Sequence, residues 1–197
     1  NVTTYTYNKT TGEVSKVDPG GGQQKYTGSK GKTSKVINEL GVSVSTTAYN
    51  ANGLPSSVTF ADGAKVKYEY DARGNMTKVT DTLGAMTSFT YDADDNLTRI
   101  TDPMVKNWDY TYDENGNLIS EKTPLGRITS YTRDAKGLIS RITLPNGSKV
   151  DFTYDAKGNV ISKMDPTGKT TTYGYDAQGL ELTSITNPRG YTTSFQY

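Results

Sequence analysis

Five aspartates, Asp71, Asp92, Asp113, Asp155 and Asp176, recur at one place in a repeated pattern and are the first side chains that could do chemistry. Glycoside hydrolysis needs two carboxyl groups facing one cleft, about 5–10 Å apart. A row of equivalent carboxylates marks no such pair, and a brace at a turn is the simpler role for each. The chain is therefore not expected to be an enzyme. Asp92, Asp94 and Asn96 have the alternate-residue oxygen spacing of a calcium loop. Leu97 stands where that loop needs glycine and Pro103 where it needs glutamate, so these three are weak candidate ligands and no metal or cofactor is expected. Tyrosine offers a third chemistry, since exposed aromatic faces beside Asp and Asn suit sugars.

Composition removes other classes. Cysteine and histidine are both absent (0 each), which excludes disulfides, thiolate or imidazole metal sites and the familiar Ser-His and Cys-His nucleophile pairs. A formal charge of +1 leaves no broad footprint for nucleic acid. No apolar run approaches the roughly 18 residues of a membrane-spanning helix, and no signal peptide opens the chain. Leu, Ile, Val and Phe together make up about 17% of the residues, below the roughly 20% at which disorder becomes the default. Disorder also requires a high net charge, and the 15 tyrosines supply periodic apolar area. An ordered chain with little core is the expectation.

The element that positions all these residues is a repeat of 21 residues, clearest in Asp151–Gly168. Steps of 21 from Tyr154 reach Tyr7, Gly28, Tyr49, Tyr70, Tyr91, Tyr112, Arg133 and Tyr175. Before each anchor the residues alternate, as in Val66, Tyr68 and Tyr70 against Lys67 and Glu69, which predicts a half-buried strand of about 5–6 residues. Glycine four places after the anchor (Gly74, Gly116, Gly158, Gly179) supplies the positive φ of a hairpin loop, and Asp95 breaks that rule. A second strand follows in which Met76 and Val79 lie three apart; a bulge or burial on both faces would explain this. Pro103, Pro124, Pro145 and Pro166 then open a second turn of type I.

The first 48 residues carry degenerate units. The turn glycine Gly12 is one place late, Gly20–Gly22 predicts a loose turn, and Gly28 replaces an anchor in a lysine-rich stretch (Lys25, Lys30, Lys32, Lys35) that predicts an irregular, solvated hairpin. Residues 49–197 are regular. Tyr49, Tyr70, Tyr91, Tyr112, Tyr154 and Tyr175 should form a ladder across neighbouring hairpins, which makes them structural; a carbohydrate platform is the alternative.

Units such as Tyr68-Glu-Tyr70-Asp71-Ala-Arg-Gly74-Asn75 and Tyr110-Thr-Tyr112-Asp113-Glu-Asn-Gly116-Asn117-Leu118 resemble the tyrosine–aspartate (YD) repeats of the rearrangement-hotspot (Rhs) family. The resemblance implies an exported or cell-surface bacterial protein whose repeats form a β-sheet shell around a toxic or folding-sensitive segment. The fold expected is all-β: about nine antiparallel hairpins in one extended, curved, twisted sheet, a single array over residues 1–197 that is part of a longer polypeptide. Its expected partners are flanking repeats and an enclosed C-terminal toxin, with self-association through open sheet edges and a glycan as further ones.

Overall fold

Period-two alternation with threonine, tyrosine and valine drives the backbone into strands, and the tight turns at fixed intervals make each strand pair with the next. The computed structural model describes residues 2–11, 13–29, 32–38 and 40–197; Gly12 and Lys30 lie outside the described residues. Nineteen antiparallel strands form one open sheet, and no helix occurs among the described residues. By compactness the chain divides into two units, Asn1–Tyr91 with Ile100–Lys106, and Asp92–Arg99 with Asn107–Tyr197.

The first unit holds β1 (Thr4–Tyr7), β2 (Val14–Val17), β3 (Gln23–Ser29), β4 (Lys32–Ile37), β5 (Ser43–Tyr49), β6 (Pro55–Phe60), β7 (Lys65–Tyr70), β8 (Met76–Thr80) and β9 (Met86–Tyr91). Next in sequence comes β10 (Leu97–Thr101). The second unit holds β11 (Asn107–Tyr112), β12 (Leu118–Lys122), β13 (Ile128–Arg133), β14 (Ile139–Thr143), β15 (Lys149–Tyr154), β16 (Val160–Met164), β17 (Thr170–Tyr175), β18 (Leu182–Thr186) and β19 (Thr192–Ser194). Within each unit, successive strands pair antiparallel.

In most repeats the two turns share one geometry; the Asn8 and Asp176 turns are one residue longer, their amides donating to the Glu13 (2.8 Å) and Glu181 (2.9 Å) carbonyls. In the first kind, the Asp71 amide donates to the Asn75 carbonyl (2.9 Å) and the Gly74 amide to the Asp71 carbonyl (3.2 Å). In the second, the Asp165 amide donates to Lys169 (2.8 Å) and the Gly168 amide to Asp165 (2.9 Å). Gly74 has φ +96° and Gly168 +81°, so both are type I turns closed by a left-handed residue, the three-residue hairpin loop. The glycine run follows the same scheme: the Asp18 amide donates to Gly22, the Gly21 amide to Asp18, and Gly21 has φ +84°, a regular turn where a loose one was expected.

Among the described residues, two side chains occupy the left-handed position without being glycine, Asp95 at φ 66° and Val105 at φ 60°. Aspartate tolerates this conformation, whereas a β-branched valine is strained by about 1–2 kcal/mol. Val105 is also 77% exposed and packs little. Val105→Gly should therefore raise the urea midpoint, with a gain of about 1 kcal/mol after the glycine entropy cost.

The spacing of Met76 and Val79 is a bulge. Tyr68 pairs with Val79 and Tyr70 with Met76, with a register shift between Glu69 and Tyr70 that leaves Thr77 as the extra residue. Both apolar side chains thereby join the tyrosine face. The same shift recurs at Thr111/Tyr112, Thr132/Arg133, Thr153/Tyr154 and Gly174/Tyr175. A shift also occurs at Thr27/Gly28, but there Gly28 pairs with Thr33, five places on instead of six, and Ser29 pairs with Lys32, so the lysine-rich hairpin departs from the regular register.

No hydrophobic side chain is buried among the described residues. Along β7, Val66, Tyr68 and Tyr70 are half-buried and Lys65, Lys67 and Glu69 exposed. Each apolar side chain is covered only by its neighbours on the same face, so cross-strand pairs supply the cohesion that a second layer gives other sheets.

Candidate functional site

One constellation repeated along the sheet is the tyrosine row. Tyr91 donates its hydroxyl hydrogen to the Met76 carbonyl (2.9 Å), Tyr112 to Leu97 (2.9 Å), Tyr154 to Ile139 (2.7 Å) and Tyr175 to Val160 (3.2 Å), each 15 residues earlier. Tyr49 reaches the Thr33 carbonyl at 2.7 Å. The accepting residue is the one that pairs with the preceding anchor: Val160 with Tyr154, Ile139 with Arg133, Met76 with Tyr70 and Thr33 with Gly28. Each hairpin is thus fastened to the bulge of the one before, where the ladder is interrupted. Tyr70 stands in the same row, half-buried, opposite Met76. Burial holds the phenols of Tyr91, Tyr112 and Tyr154 above their ordinary pKa.

The hydroxyl explains a preference that periodicity alone did not. Phe89 and Phe152 occupy the place two before the anchor, yet no anchor is phenylalanine, which could not make the hydroxyl bond that Tyr49, Tyr91, Tyr112, Tyr154 and Tyr175 make. Arg133 meets that need differently. Its Nη2 donates to the Leu118 carbonyl (3.4 Å), again 15 residues back, and Nη1 to the Gly137 carbonyl (2.9 Å). Its Nε is buried without a hydrogen-bond partner, the one such side-chain atom among the described residues. A buried unsatisfied donor costs about 1–3 kcal/mol. Arg133→Tyr should restore the regular anchor and stabilise the chain by about 1–2 kcal/mol in chemical denaturation.

The recurrent carboxylates brace turns. Asp155 Oδ1 accepts from the amides of Lys157 (2.8 Å) and Asn159 (2.9 Å), and Oδ2 from the Asn159 side chain (3.0 Å). Asp71, Asp113 and Asp176 accept amides in the same way. The amide of Asn117 holds Asp113 below the usual carboxylate pKa; those of Asn159 and Glu181 do so for Asp155 and Asp176. A depressed folded-state pKa stabilises above the unfolded value near 4 and is lost as pH falls through the folded value. Thermal unfolding should accordingly show a constant midpoint from pH 7 to about 5 and a decline below about 4, set by these carboxylates.

Asp92 belongs to the same scheme: its Oδ1 accepts from the amides of Asp94 (3.0 Å) and Asn96 (2.9 Å), and its Oδ2 from Asn96 Nδ2 (3.1 Å). The calcium-loop spacing is thus used as a turn brace, and no cluster of three acidic side chains converges among the described residues. Gly74, Gly116, Gly158 and Gly179 all take positive φ, and Pro103, Pro124, Pro145 and Pro166 each follow the first residue of a second-kind turn.

The opposite face is polar. Lys78 pairs with Glu69 (3.0 Å), Arg99 with Asp109 (2.6 Å) and Arg141 with Asp151 through two bonds, and hydroxyls pair at Thr111–Ser120 and Thr153–Ser162 (2.7 Å each). On the tyrosine face of the first unit, Tyr26, Tyr49, Tyr68, Tyr70, Val58 and Met76 line an open groove of ≈ 500 Å³. Lys32 Nζ stands 5.4 Å from the Tyr49 ring centroid.

Comparison with known proteins agrees with this architecture. Among solved structures, the chain resembles TcdB2-TccC3-Cdc42 (TM-score 0.64, 18% identity), covering 92% of this chain and 12% of that one. It is similar to TcdB2-TccC3 without its hypervariable C-terminal region (0.63, 17%; 92% and 12%) and to the Photorhabdus luminescens Tc holotoxin pore (0.63, 18%; 92% and 12%). The chain therefore spans about an eighth of these structures, and at this identity they show the fold. Among curated proteins, none matches it in sequence. The RHS Repeat model matches residues 49–86, 77–103, 112–149 and 154–182, and with these repeats in register over most of its length the chain belongs to the RHS repeat family.

Proposed function

We propose that this chain is a wall segment of a shell in a larger exported bacterial protein, enclosing a toxin or other cargo, and that it performs no catalysis. The observation that carries this reading is a single sheet with no buried hydrophobic side chain among the described residues. Its sequence is spent on fastening one hairpin to the next. An aromatic face and an ion-paired face, repeated without a distinguished cleft, suit a partition better than a reaction centre. The solved structures it resembles include a Tc holotoxin pore, which supports the toxin setting. The hydroxyls of Tyr91, Tyr112, Tyr154 and Tyr175 are committed to backbone carbonyls, so these four are poorly placed to direct a sugar.

The test uses the longer polypeptide carrying this array. The enclosed segment should resist added protease, and Tyr154→Ala with Tyr175→Ala, which loosens the wall, should expose it. Equal cleavage in both proteins would remove the enclosure reading. A glycan array should give no signal; binding lost on Tyr→Ala at Tyr26 and Tyr49 with folding intact would establish the adhesive alternative instead.

A further inference from the structure

The fold sorts the two turns of each repeat onto opposite rims of the sheet, and the sorting separates charge. In the second unit the first-turn rim comprises residues 92–96, 113–117, 134–138, 155–159 and 176–181. Counted with the residue on either side of each loop, this rim holds nine acidic side chains and three basic ones. The second-turn rim, at 123–127, 144–148, 165–169 and 187–191, counted the same way, has five basic side chains (Lys122, Arg127, Lys149, Lys169, Arg189) against Asp165 alone. All five basic residues are exposed, and none forms an ion pair within 4.0 Å among the described residues. An open groove of ≈ 450 Å³ lies on this rim between Arg127 and Leu144–Asn146.

In the first unit the bias is weaker and reversed. Among the described residues, its second-turn rim carries Asp18, Asp62, Asp81 and Asp102 against Lys65 and Lys106, and its first-turn rim Lys9, Lys32 and Arg73 against Glu13 and Asp71. Hairpin turns of the same kind recur every second strand, about 9–10 Å apart on both rims. A row of charges at that pitch is matched by the opposite rim of an identical sheet, which has the same pitch by construction.

We propose that the second-turn rim of this chain docks on the first-turn rim of a second copy, the basic rim of one second unit lying along the acidic rim of the other. This is a contact between turn tips, separate from pairing through open strand edges, and it does not depend on whether the wall encloses cargo. A head-to-tail contact of this kind propagates unless its rotation closes.

The test is sedimentation velocity of the purified chain. Association should be present in about 50 mM salt and at least tenfold weaker in about 500 mM, where the Debye length is only a few ångströms. Arg127→Glu/Lys149→Glu/Lys169→Glu should leave the protein monomeric with an unchanged circular dichroism spectrum, as should Asp94→Lys/Glu114→Lys/Glu181→Lys. Mixing the two variants should restore association, because each then carries two like rims that fit the other. Any of three results would overturn the proposal: a chain monomeric in low salt, association indifferent to salt and to both triple variants, or a mixture that stays monomeric. So would low-salt association that appears only with anionic vesicles and is lost with the basic-rim variant, since the basic rim would then serve a lipid surface.

Discussion

Tyr154→Ala should destabilise the second unit by about 3 kcal/mol in urea denaturation, whereas Tyr154→Phe should cost only about 1 kcal/mol. The larger figure has two parts. Truncating a fully buried aromatic costs about 3–5 kcal/mol, and this ring is half-buried, so about 2 is expected from lost packing. Its hydroxyl bond to the Ile139 carbonyl at 2.7 Å adds about 1, the usual net worth of such a bond. The phenylalanine variant keeps the ring and isolates the second part. Because each hairpin leans only on its neighbours, the damage should stay local. Hydrogen exchange should accelerate in β14 to β17 and remain unchanged in β11 and β12. A phenylalanine variant as stable as the native chain would show that the hydroxyl row contributes nothing, and Phe would then have no reason to be missing from the anchors.

The strand–turn–strand–turn order was legible because each strand announces itself by alternation and each turn by glycine, proline or aspartate at a fixed offset. Tyr68 and Tyr70 flanking Glu69 could only be a strand with one face half-buried. What periodicity could not settle was the register within a hairpin. Met76 and Val79 are three apart, which fits a bulge or a strand buried on both faces, and only the pairing of Tyr70 with Met76 decides between them. The acceptor of each tyrosine was equally hidden. Tyr154 and Ile139 are 15 residues apart, a separation that means nothing until the bulge brings that carbonyl under the ring of the next hairpin. Proline in one turn and its absence from the other made the two look different in kind, although the Asp71 and Asp165 turns have the same bonds. The charge separation between rims was invisible for a related reason: Arg127 and Glu114 alternate along the chain as loops do, and folding alone puts them on opposite edges.

Gly28 is where the repeat loses its tyrosine, and its replacement by alanine should be among the most damaging single changes in the chain. A Cβ built there would lie 1.7 Å from the Lys32 carbonyl oxygen, 2.7 Å from its carbonyl carbon and 2.9 Å from the Thr33 Cα. All three are backbone atoms, so relief requires moving the strand that Gly28 pairs with. Overpacking of this kind costs about 3 kcal/mol. The missing anchor is thus a consequence of close backbone approach and not of relaxed selection on a degenerate unit. Gly20→Ala is the matched control, since nothing lies within 4 Å of its Cβ and its φ is not positive; it should be neutral or slightly stabilising. Gly174→Ala belongs between the two, at about 1 kcal/mol, because the atom nearest its Cβ, at 2.4 Å, is the Ser184 hydroxyl oxygen, which can rotate away. The order Gly20, Gly174, Gly28 in chemical denaturation would establish that contact with backbone, and not loss of glycine itself, sets the cost. Equal effects at Gly28 and Gly20 would mean that β3 and β4 do not approach so closely in solution, and the absent tyrosine would then need another cause.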